Sequence, residues 1–65
     1  MSWNTYPHRE IAEQVCTPKQ LTAIKLYENG HGYRAIAKLL NISTTSARDR
    51  IRSAIDRIEN AKAAI

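Results

Sequence analysis

The chain is 65 residues long, with ten Lys and Arg against six Asp and Glu, a formal net charge of +4 and one cysteine. That length sets a single domain with little surface burial to spare, so a second copy or a partner can belong to its fold. A lone thiol excludes an internal disulfide, and no segment approaches the apolar length of a membrane span.

The charge is uneven. Residues 1–32 carry three basic side chains, Arg9, Lys19 and Lys25, balanced by Glu10, Glu13 and Glu28, whereas residues 33–65 carry seven basic and three acidic ones. The whole net charge therefore sits in the second half, which reads either as a solvated helical face or as a surface turned toward a polyanion.

The opening, MSWNTYPHRE, lacks the basic start and apolar run of a signal peptide, and with the single reduced thiol it points to a cytoplasmic protein. Trp3 and Tyr6 read as anchors that tack an N-terminal arm to the helices, in preference to stacking platforms for bases. In PHREIAEQV, Ile11, Ala12 and Val15 fall on one side, so residues 1–16 form an arm or a short further helix, with Cys16 as a small core residue.

The next segment announces a helix near residues 18–29. Thr17 is a good N-cap, Pro18 fits the first turn, Gln20 can complete a capping box, and Gly30 supplies the stop. Leu21, Ile24 and either Tyr27 or Leu26 fall at helical spacing, which turns Lys19, Lys25 and Glu28 toward water. His31, in the Gly-His-Gly connection, reads as an exposed loop residue with a contact to a nucleic-acid backbone as the sharper use.

Gly32 begins a second helix near 33–40, where Tyr33, Ile36, Ala37 and Leu40 follow the i, i+3, i+4, i+7 pattern. Ala37 is small where two helices must approach closely. Asn41 takes a C-cap position that tolerates left-handed backbone, Ile42 turns into the core, and Ser43 caps the helix that follows. Two helices joined by so short a turn have helix-turn-helix geometry.

From Thr44 nothing breaks the third helix, near 44–62. Ala47, Ile51, Ala54, Ile58, Ala61 and Ile65 recur at spacings of 4, 3, 4, 3 and 4, with Ile55 widening the seam. A trihelical core needs only the first half of a helix roughly 30 Å long. The second half must pack on Ile11 and Val15 of the same chain, or pair with a twin through Ile55, Ile58, Ala61 and Ile65; the homodimer is the favoured expectation, because so small a domain gains core by pairing.

With Ala47, Ile51 and Ala54 turned inward, Thr44, Thr45, Arg48, Asp49 and Arg52 form a polar face at the N-terminal end of the long helix. That end of a helix-turn-helix enters the major groove, where Arg can bind guanine through two hydrogen bonds and Thr can meet a thymine methyl. Asp49 could accept from cytosine, though an i, i+3 pair with Arg52 is its plainer use. Tyr33, Arg34, Lys38, Ser43 and Arg50, with Thr44 again, are candidates for phosphate contacts around that face.

The stretch TPKQLTAIKLYENGHGYRAIAKLLNISTTSARDRIRSAI resembles the helix-turn-helix of sigma factor region 4 and of LuxR-type response-regulator domains, over about residues 16–58. It is similar in its Thr-Pro opening with Gln20, its glycine before the second helix, its Ala35-Ile36-Ala37 packing core and its Leu-Asn-Ile-Ser turn. Asn41 stands where those families usually have Gly, Ser46 and Ala47 where they have Thr and Val, and Cys16 where Leu is common. The resemblance implies an all-α, trihelical to tetrahelical DNA-binding domain with a long C-terminal recognition helix, a motif within 33–58, and Thr44, Thr45, Arg48 and Asp49 as groove-facing residues.

At this length the chain is expected to be a small stand-alone regulator of phage or bacterial type, or an excised DNA-binding domain, acting on double-stranded DNA in the bacterial cytoplasm or nucleoid. A complete sigma factor or response regulator would be longer. The alternative is an interaction module gripping an acidic partner such as RNA polymerase, or a domain recognising phage DNA for packaging. No carboxylate pair, nucleophile arrangement, glycine-rich phosphate loop or zinc-ligand spacing is present, so neither catalysis, cofactor nor metal is expected.

Overall fold

The computed structural model describes residues 2–64. A 3-10 turn at Trp3–Thr5 precedes four α-helices, α1 (Arg9–Val15), α2 (Pro18–Glu28), α3 (Tyr33–Leu40) and α4 (Thr44–Ala63). No strand occurs among the described residues, and the chain is an all-α domain.

Local chemistry accounts for the starts of α2 and α4 and for the ends of α2 and α3. At the start of α2 the Thr17 hydroxyl accepts from the Gln20 N–H at 3.2 Å while the Gln20 amide oxygen accepts from the Thr17 N–H at 3.0 Å, and Pro18 occupies the first turn. This reciprocal pair satisfies N–H groups that a helix start otherwise leaves unpaired. At α4 the cap is one-way, the Ser43 hydroxyl accepting from the Ser46 N–H at 3.0 Å.

α2 and α3 end on one motif. The N–H of His31 reaches the Leu26 carbonyl and that of Gly30 the Tyr27 carbonyl; in the same way Ile42 reaches Ala37 and Asn41 reaches Lys38. Each termination needs one left-handed residue, supplied by Gly30 at φ 102° and by Asn41 at φ 56°. Gly and Asn are the residues that reach that region at least cost.

Packing is organised around α4, which α1, α2 and α3 all contact. Ile24, Ile36, Ile51 and Ile58 fill the core, interleaved with the buried alanines Ala12, Ala23, Ala37, Ala47 and Ala54. Alanine at the crossings lets backbones approach, and the branched isoleucines fill the space between. Near Ala54 the end of α1 comes close enough for the Cys16 thiol to donate to the Ala54 carbonyl at 3.8 Å, while the Arg57 guanidinium donates to the Val15 carbonyl at 3.0 Å. Burial pushes the Cys16 thiol up from its ordinary pKa, an effect that Arg57 partly offsets.

The N-terminal arm is anchored as the aromatic residues imply. Trp3 is 8% exposed, its ring lies 5.5 Å from that of Tyr6, and its backbone N–H donates to Asn29 Oδ1 at 2.7 Å. Two expectations for α2 need correcting here. Lys25 is half-buried with its ammonium 5.7 Å from the Trp3 ring centre, and Glu28 is half-buried near enough to Tyr6 to help burial raise that phenol's pKa. Both lie under the arm, which α2's own periodicity does not reveal. Of the alternatives at the end of α2, Leu26 packs on the core, while Tyr27 is 37% exposed and stacks on Tyr33 at 5.8 Å.

The second half of α4 has a destination within the chain. Ile58 is 1% exposed in the single chain, and α1 packs along α4, with Ile11, Val15 and Ile55 bordering the core. Ile58 is therefore corrected as a residue available to a twin: the side chain already has its partners. Ile55 and Ala61 are half-buried, and Ile65 lies outside the described residues.

Candidate functional site

Burial of Ala47, Ile51, Ala54 and Ile58 fixes the rotation of α4. At 3.6 residues per turn the opposite side is then set, and Thr44, Thr45, Arg48, Asp49 and Arg52 are all exposed at the N-terminal half of the 20-residue helix. The expected i, i+3 pair between Asp49 and Arg52 is not formed; among the described residues the one ion pair is Lys62 with Glu59, at 3.2 Å, near the far end of α4. Arg48 and Arg52 thus project without a carboxylate partner, as extended, solvated side chains do when pairing on an exposed face gains little.

One flank of this face is built by α3 and the turn. Arg34, Lys38, Asn41, Ser43 and Thr44 border a shallow depression of about 460 Å³ floored by Ala37 and Ile42. Arg34 and Lys38 are four residues apart on α3 and exposed, so they stand on one stripe. Ser43 is exposed, but its hydroxyl is engaged in the cap and lies 2.8 Å from the Ser46 hydroxyl. Tyr33 is half-buried against Tyr27, with part of its surface open.

Arg50 stands apart from that group. Ser46, Asp49, Arg50 and Ser53 follow the i, i+3, i+4, i+7 ridge on the other flank of α4, and with Thr17, Lys19 and Gln20 of the α2 start they line a second depression, of about 360 Å³. The candidate phosphate contacts are therefore divided: Arg34, Lys38, Ser43 and Thr44 lie on one side of the exposed face and Arg50 on the other. Lys19 joins Arg50 on this second side. The ridge containing Arg50 is readable from spacing alone, but no sequence signal brings Lys19 to it, because that approach depends on how α2 crosses α4.

No group of three or more His, Cys, Asp or Glu side chains suited to a metal ion occurs among the described residues. No helix there is long and apolar enough to cross a membrane. Comparison with protein-family models, with curated proteins and with solved structures finds no match to this chain.

Proposed function

We propose that the chain binds double-stranded DNA as a helix-turn-helix domain, with α3 and α4 as the motif and the N-terminal half of α4 in the major groove, in the service of transcriptional control. The observation that carries this reading is the division of α4: one side is fully buried, and the other presents Thr44, Thr45, Arg48, Asp49 and Arg52 at the capped end of the helix. A helix used this way needs base-reaching side chains on its outward face and cations beside it for phosphate. Arg48 and Arg52 would take guanine edges, Thr44 and Thr45 hydroxyl-compatible edges or thymine methyls, and Arg34 and Lys38 the backbone.

The net charge of +4 supports the same reading, since a polyanion gains from an uneven basic surface. Selection from a random duplex pool with the purified chain, followed by titration of the enriched sequence at several salt concentrations, tests it. The expected result is an enriched motif and affinity that falls steeply with salt. Absence of duplex binding at low salt would leave the basic surface to a protein partner.

One observation favours that second reading. Leu39 on α3 is 60% exposed, a large apolar side chain beside the basic stripe. Contact with an acidic protein, RNA polymerase included, could use Leu39 together with Lys38, and such contact would be insensitive to added duplex.

A further inference from the structure

We infer that Lys19 and Arg50 form a second phosphate-binding rim, so that the exposed face of α4 is straddled by cations of α3 on one side and of α2 and α4 on the other and grips the backbones of both DNA strands. This rests on the DNA-binding reading above and goes beyond it by assigning α2 a part in the interface. A helix lying in the major groove has a phosphate chain on each side of it, and a domain with cations on one flank alone would meet one of the two. On the first flank stand Arg34 and Lys38 of α3. On the second, the depression between the start of α2 and α4 brings together Lys19 and Arg50, with Ser46 and Ser53 along its wall.

Three features make this surface fit a phosphodiester. The depression is open and shallow, about 360 Å³, the shape for a backbone group passing over it rather than for an enclosed small molecule. Neither cation is spent elsewhere: among the described residues, neither Lys19 nor Arg50 belongs to an ion pair or donates a side-chain hydrogen bond. Thr17 and Gln20 are occupied by their reciprocal cap and hold the first turn of α2 in place beneath Lys19. Asp49 also borders the depression, on the side toward the exposed face of α4. Its carboxylate opposes a phosphate there, which makes the rim weaker than two cations alone and gives the test an opposite-signed variant.

The experiment measures duplex affinity of the intact chain against salt, for an enriched site and for a random duplex, with Lys19→Ala, Arg50→Ala, the double variant, Lys19→Arg, Asp49→Asn, and Arg34→Ala and Lys38→Ala for the first flank. Circular dichroism establishes that each variant is folded. The expected result is a several-fold loss for each alanine variant on both duplexes alike, and a drop of roughly 0.9 per cation in the slope of log affinity against log salt. Lys19→Arg should keep the wild-type affinity, and Asp49→Asn should raise affinity for random duplex. If the wild-type chain binds duplex and loses affinity with Arg34→Ala and Lys38→Ala, but Lys19→Ala and Arg50→Ala leave affinity and slope unchanged, the rim is overturned and the DNA-binding reading stands. If the wild-type chain binds no duplex, both fall.

Discussion

The backbone N–H of Trp3 donates to Oδ1 of Asn29 at 2.7 Å, closing a span of 26 residues and tying the N-terminal arm to the end of α2. Lys25 completes the clamp from above the indole ring. Asn29→Ala should cost about 0.5–1.5 kcal/mol, the usual net worth of such a bond, by leaving a partly buried donor unmet. Trp3 is the only tryptophan, so its emission reports on the arm directly. A red shift together with a lower denaturant midpoint is expected; unchanged emission would mean the arm holds without Asn29.

Ala37 is 5% exposed on the face of α3 that packs into the core. Ala37→Leu adds three carbons at a nearly buried position between α3 and its neighbours, and overpacking of this kind costs roughly 1–3 kcal/mol in a domain with small reserves. A lower Tm is expected by calorimetry. Normal melting would show that the α3–α4 crossing has room to adjust.

Ile58 distinguishes the two uses of the long seam. Because its side chain is already buried within one chain, Ile58→Ala should cost roughly 2–5 kcal/mol as a core truncation. That loss should be the same at every protein concentration. Sedimentation and melting over a wide concentration range check it: a Tm that rises with concentration in the wild type and not in the variant would instead assign Ile58 to an interface between copies.

Arg48 separates base contact from phosphate contact, on the proposed DNA reading. Arg48→Ala should cost roughly 1–3 kcal/mol on an enriched site and much less on random duplex. Arg34→Ala and Lys38→Ala should weaken binding to both alike. Equal losses for Arg48→Ala on the two duplexes would move it among the phosphate contacts.

Alkaline pH should weaken the fold through Tyr6 and Cys16. Both acids are held above their ordinary values of 10.0 and 9.0, chiefly by burial, so the folded state keeps their protons more tightly than the unfolded state. Stability from these groups is intact below the ordinary values and is lost as pH rises through the raised, folded ones. Urea midpoints measured from neutral pH into the alkaline range should fall, and Tyr6→Phe should flatten the decline. A decline that persists undiminished in a Tyr6→Phe, Cys16→Ala chain would place the cause elsewhere.

What the sequence made readable was governed by range. Thr17 with Gln20, Ser43, Gly30 and Asn41 act within a few residues of themselves, so their caps and turns follow from residue type and spacing. The exposed face of α4 was equally accessible, because a seam of Ala47, Ile51 and Ala54 fixes the opposite side by periodicity. Lys25, Glu28 and Lys19 were legible only in part: each lies on a helix face that its own helix leaves open, and another element then covers or joins it. Ala23, fully buried, gives no signal in a pattern of large apolar residues, because a close crossing needs no more than its methyl group. Asp49 and Arg52 had the spacing to pair but remain apart, since spacing permits an exposed ion pair without making it favourable.

The end of α3 carries one more consequence. With the Ile42 N–H bonded to the Ala37 carbonyl, Asn41 left-handed and the Ser43 hydroxyl in its cap, each residue of the connection to α4 is held by a local hydrogen bond or a particular backbone conformation. Such a connection resists change in the angle between α3 and α4. On the DNA reading, any mismatch between that angle and a target must be absorbed by bending or widening of the duplex, so sequences that deform easily would be preferred at positions no side chain reaches.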